Sequence, residues 1–156
     1  MTEHPQGRTH TALHLLIAQP NVDPSRTGGI GFCFGGPTVL ALARSGADVG
    51  CVIDFHSGLA MIARHDAHNV RCKVMDCLGA QVPIIPPEMR TAFIEEMTAA
   101  KVDWQMLLYA RAGHSFTNRE VDAMNSPGFA CDDDTDTDRR SWRAMRGLFD
   151  EVLGPV

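Results

Sequence analysis

Short apolar runs alternate along this chain with longer segments of helical period. Val49–Phe55, Lys73–Leu78 and Trp104–Tyr109 are mainly apolar without strict alternation, the pattern of strands covered on both faces of a parallel sheet. Thr27–Phe32 is shorter and glycine-rich, and Pro37–Arg44 behind it reads as a helix stopped by Gly46. Arg8–Gln19 gathers Ala12, Leu13, Leu15, Leu16 and Ile17 into a short amphipathic helix, and Asn21–Pro24 turns the chain. In Pro87–Ala100, Met89, Phe93, Met97 and Ala100 share one helical face behind Pro86-Pro87. Arg139–Leu153 repeats the pattern with Trp142, Met145, Phe149, Val152 and Leu153, ended by Gly154-Pro155. Strands alternating with helices predict an α/β fold: a mostly parallel sheet of about four strands flanked by helices.

At 156 residues the chain has the length of one domain, 1–156, and contains no internal repeat. Hydrophobic residues at 44% and charged residues at 21% are ordinary for a packed globular protein. A net charge of -5 excludes the basic surface that tracks nucleic-acid phosphates and directs attention to small molecules or protein partners. The first residues lack the pattern of a secretory signal, and no apolar stretch reaches the ~20 residues of a membrane span, so a soluble cytoplasmic protein is expected. Five cysteines (33, 51, 72, 77 and 131) are an odd count in a chain large enough to dispense with disulfides, which reads as reduced thiols.

One of those thiols sits where chemistry is expected. Gly31-Phe32-Cys33-Phe34-Gly35-Gly36 has the spacing of a nucleophile elbow and lies between a predicted strand and a predicted helix. The nucleophile in such a turn is strained, the flanking glycines let strand and helix approach, and the helix N-terminus favours developing negative charge. His114, in Ala112-Gly113-His114-Ser115-Phe116, follows the last predicted strand, where a hydrolase of this architecture carries its base. His56, at the end of Asp54-Phe55-His56-Ser57-Gly58, is the second candidate histidine.

The other clusters are weaker. Cys72 and Cys77 are five apart around a strand and point to opposite faces, which argues against zinc with His65 and His68. The acidic run Asp132–Asp138 lacks the glycine and glutamate of a calcium loop and reads as a solvated segment in which Asp136 or Asp138 caps the last helix.

The elbow, the segment Ala18–Asp23, Pro86-Pro87-Glu88, Ala112–Asn118 and Arg139–Trp142 together resemble the dienelactone hydrolase family, over most of the chain. The resemblance implies an α/β-hydrolase fold, a cysteine nucleophile at Cys33, a histidine base at His114, and an oxyanion donor in the Phe34 amide. It also implies a lactone or other carboxylic ester as substrate, with no metal or organic cofactor. The family's acid is an aspartate in a Gly-x-x-Asp turn, and in Gly79-Ala80-Gln81-Val82 that place is taken by Val82. Asp76 lies too far back along its strand to replace it, and Asp54 on the neighbouring strand is the better-placed carboxylate. The resemblance further implies that the family's first strands, with the loop carrying a second oxyanion donor, are missing here. The elbow strand would then be an edge seeking a second copy, so a two-fold homodimer is expected. Slow thiol-dependent ester or lactone hydrolysis is the leading expectation, and a non-catalytic remnant serving as an assembling or binding module is the alternative.

Overall fold

Four parallel strands, β1 (Gly28–Phe32), β2 (Cys51–Phe55), β3 (Lys73–Gly79) and β4 (Trp104–Tyr109), pair in chain order into one sheet. The coordinates are a computed structural model and describe residues 5–59, 64–118, 120 and 135–154. Cys131, His4 and Asp132–Asp134 lie outside the described residues. Helix α1 (Pro5–Ile17) precedes the sheet, α2 (Gly35–Arg44) connects β1 to β2, α3 (Pro87–Ala99) connects β3 to β4, and α4 (Thr135–Leu153) closes the chain. Each strand-to-strand connection crosses one face, as parallel pairing requires.

Two apolar layers hold the sheet. On one face Val52, Val74 and Leu78 pack under Val39, Leu40 and Leu42 of α2 and Phe93 and Met97 of α3. On the other, Cys51, Ile53, Phe55, Met75 and Cys77 pack under Met145 and Leu148 of α4. The central strands β2 and β3 are therefore apolar at nearly every position, because both faces are covered. Cys72 and Cys77 fall into different layers. Arg44, a charge 2% exposed between α2 and α3, is held by a two-pronged bond to Glu96 at 3.0 Å on each prong.

Several boundaries differ from expectation. Helix α2 starts at Gly35 rather than Pro37, which puts Phe34 at its N-cap and Cys33 one residue before. Helix α4 starts at Thr135, four residues before the expected Arg139. Asp136 and Asp138 accordingly lie within its first turn, where a negative charge offsets the exposed backbone N–H groups, instead of capping it. The buried face of α4 is Thr137, Ser141, Met145 and Leu148; Trp142, expected on the buried stripe, is 42% exposed. A short 3-10 helix, Arg64–Asn69, lies between β2 and β3 where no element was expected. Among the described residues no helix is long and apolar enough to cross a membrane.

Candidate active site

The C-terminal ends of β1, β2 and β4 converge on one spot, and each delivers one polar side chain to it. At the end of β1 the chain turns sharply: Cys33 takes a left-handed φ of 50°, its N–H donates to Phe55 O at 3.0 Å, and Gly36 N–H donates back to Cys33 O at 3.1 Å. A residue with a Cβ adopts that φ only at a cost, so the turn is a strained elbow of the expected kind. Gly31 is required because a Cβ there would run into the Gly35 carbonyl as α2 folds back over the strand. The result is an exposed thiol at the head of α2, with the Phe34 amide beside it.

His114 reaches that thiol from the loop after β4. Cys33 Sγ and His114 Nε2 lie 3.1 Å apart, joining positions 81 residues distant in sequence. Two features set the loop's height. Gly79, ending β3, has no Cβ to obstruct the carbonyls of Ala112 and Gly113, and the Ala80 and Gln81 amides donate to Tyr109 O and Ala112 O. Burial lowers the His114 pKa below the usual 6.5, so its imidazole is neutral near neutral pH.

The third group is His56, at the end of β2. It also has a left-handed φ, 43°, and is 3% exposed. Its ring meets that of His114 edge to face, with centroids 5.4 Å apart, and its Nε2 lies 2.8 Å from Thr117 Oγ1. Its pKa is lowered to about 4, first by burial and then by the neighbouring His114 charge. The sequence made His56 a second-choice histidine, but gave no sign that it would stand beside the first one. Thr117 was missed outright; a hydroxyl three residues past the base is no signal by itself.

Asp54, the better-placed carboxylate of the sequence reading, does not reach His114, and Asp76 lies beside it. Asp54 and Asp76 face each other in register on β2 and β3, both fully buried. The Asp54 carboxylate accepts from the Ser57 hydroxyl and lies against the first turn of α2 at Gly36. Its other oxygen and both oxygens of Asp76 have no hydrogen-bond partner among the described residues. Asp54 is thus not the acid bonded to His114, because successive side chains alternate across a strand and position 54 points to the α2 face. Val82 is 3% exposed within an apolar cluster, in the turn whose Gln81 amide donates to Ala112 O of the His114 loop. Among the described residues no cluster of three or more His, Cys, Asp or Glu could hold a metal ion.

An aromatic wall borders the thiol. Phe32 stacks on Phe55 with ring centroids 4.8 Å apart, and Trp142 tilts onto both. Phe32, Phe34 and Trp142 stay substantially exposed.

Known proteins resemble this chain in sequence and fold. An uncharacterized protein of Caenorhabditis elegans is 31% identical over 153 residues, which cover 94% of this chain and 92% of that one. A dienelactone hydrolase-like promiscuous phosphotriesterase from metagenomic libraries is 42% identical and superposes with a TM-score of 0.88 over 96% of this chain, but over 62% of its own. This chain therefore spans about three-fifths of that enzyme's length. An α/β hydrolase from a deep-sea metagenome, 18% identical with a TM-score of 0.75 over 99% of this chain and 67% of its own, shares the fold alone. The profile of the dienelactone hydrolase family matches residues 2–153, and the chain belongs to that family.

Proposed function

We propose that the protein is a hydrolase of carboxylic esters or lactones that works through a thiol, with Cys33 as nucleophile and His114 as base. The observation that carries this reading is the 3.1 Å approach of Cys33 Sγ to His114 Nε2 at a strained, exposed elbow. That distance lets the thiol proton pass to the imidazole as sulfur attacks the carbonyl carbon. The carbonyl oxygen then bears negative charge, and the Phe34 amide at the head of α2 is the donor placed to receive it. Collapse of this intermediate expels the alcohol, which takes the proton from His114 and leaves a thioester on Cys33. Water gives a proton to His114 and attacks the thioester; the acid departs and the thiol is restored. None of these steps calls on a metal or an organic cofactor.

The exposed rings of Phe32 and Trp142, in contact with each other beside the elbow, suit a small substrate with an apolar face. Because the relative from metagenomic libraries is described as a promiscuous phosphotriesterase, an aryl phosphotriester is a sensible second probe beside an aryl ester. The test is a pre-steady-state burst with an aryl acetate. Wild type is expected to release one equivalent of phenol quickly and then turn over slowly, while Cys33→Ala shows no burst. Unchanged turnover in Cys33→Ala would refute the reading, whereas absence of both burst and turnover in wild type would favour a non-catalytic binding module, the alternative to which the buried Val82 lends weight.

A further inference from the structure

We infer that His56 is a positioning residue for His114, its buried imidazole holding the loop that carries the base against Cys33. The inference rests on the reading of Cys33 and His114 as the working pair.

The geometry makes His56 a clamp on the loop that carries the base. Its own N–H donates to Cys77 O at 2.8 Å, which fixes its backbone to β3. Its left-handed φ of 43° turns the ring inward instead of continuing the strand. The ring then touches three members of one loop: His114 edge to face at 5.4 Å, Phe116 edge to face at 5.2 Å, and the Thr117 hydroxyl at 2.8 Å from Nε2. His114 is thereby held between Cys33 on one side and His56 on the other.

Packing alone does not account for a histidine here. A leucine or phenylalanine would fill the space against Phe116 without burying ring nitrogens, one of which, Nδ1, has no hydrogen-bond partner among the described residues. What the imidazole adds is the bond to Thr117 and a polar but uncharged neighbour for His114. Its neutrality matters when His114 takes the thiol proton, because a second positive charge 5.4 Å away would oppose the imidazolium while a neutral ring does not. Burial supplies that neutrality.

The experiment compares wild type with His56→Leu, His56→Gln and Thr117→Val, all first shown to be folded by circular dichroism and thermal melting. Acylation by an aryl ester should fall about 10–100-fold in His56→Leu with KM nearly unchanged, because misorientation of a base weakens the chemical step more than binding. Thr117→Val should fall in the same direction, and His56→Gln, which can still bond Thr117, should recover most of the loss. A second readout needs no esterase activity: the pH profile of Cys33 alkylation by iodoacetamide. His56→Leu should slow alkylation and move its profile to higher pH, as His114→Ala does, and the double variant should be no slower than His114→Ala alone. Additive losses in the double variant, full activity in folded His56→Leu, or no recovery in His56→Gln would each overturn the inference. If wild type lacks turnover yet alkylation still depends on His56 only through His114, the hydrolase reading fails while the positioning role stands.

Discussion

Replacing Asp54 with asparagine should make this protein more stable at pH 8 and leave it nearly unchanged at pH 4. Asp54 and Asp76 are in register on neighbouring strands, fully buried on one face, with Ser57 as the only hydrogen-bond donor to either among the described residues. Burial first, and for Asp76 the adjacent carboxyl second, raises both pKa values, that of Asp54 to about 7 from an ordinary 3.8. A raised carboxyl pKa means that the folded protein binds a proton the unfolded chain has released, so stability is complete below pH 3.8 and is lost as pH climbs through 7. About three pKa units at 1.36 kcal/mol each give a penalty on the order of 4 kcal/mol at pH 8. Relaxation around the site would reduce the recoverable part to roughly 2–4 kcal/mol, a rise of about 5–15 °C in Tm. Asparagine keeps an oxygen for Ser57 and can offer its NH₂ to Asp76, whose oxygens have no donor among the described residues. His56 titrates with the opposite sign: its pKa of about 4 lies below the ordinary 6.5, so the unfolded chain binds the extra proton and stability rises with pH across that interval. Between pH 4 and 6.5 this rise partly offsets the fall produced by the two carboxyls, so the informative quantity is the difference between variant and wild type. Urea unfolding from pH 4 to 8.5, followed by tryptophan fluorescence, measures it. A difference that does not change with pH would refute the argument.

The remaining predictions concern the site and the sheet edge. Cys33 should be alkylated before any of Cys51, Cys72 and Cys77 in the folded protein, because it alone among the four is exposed, while burial pushes Cys51 and Cys72 up to about 11 and Cys77 higher still; peptide mapping after brief iodoacetamide treatment decides it, and equal labelling would count against an activated thiol. Val82→Asp should raise esterase kcat at least about tenfold by returning a carboxylate near the His114 loop, at the cost of a lower Tm since position 82 lies in an apolar layer; parallel kinetics and melting check both halves. Since β1 pairs only with β2 among the described residues and leaves Ile30 and Phe32 about two-fifths exposed, a two-fold dimer through this edge is expected, and Ile30→Lys should shift sedimentation from dimer to monomer. A wild-type monomer would end that proposal.

The fold was legible because its strands announce themselves. β2 and β3 are apolar at consecutive positions, a pattern that arises only when helices cover both faces, and Pro87 and Gly154 punctuate the helices between. Boundaries slipped where local chemistry and packing disagree. Trp142 fits the helical stripe of α4 by spacing, yet the buried stripe runs one position earlier through Ser141, because β1 at the edge is too short and glycine-rich to cover an indole fully.

The candidate site was legible only where one element determines it. Cys33 is fixed by its own six residues, since the glycine spacing dictates the turn and the turn dictates the exposure. His114 was found by its place after the last strand, which amounts to reading the topology. The contact between His56 and His114 had no such route into view: it depends on the height of the loop at residues 112–117, which is set by Gly79 and by amide bonds from Ala80 and Gln81 to a strand two elements later. The Asp54–Asp76 pair was likewise invisible, because register between two strands is a property of both together; each aspartate alone reads as a polar interruption in an apolar run. Both hidden features are buried titratable groups in direct contact across the sheet or its loops, and both press on residues that hold the elbow or the base. The pH behaviour of this protein therefore follows from contacts between elements rather than from any motif within one of them.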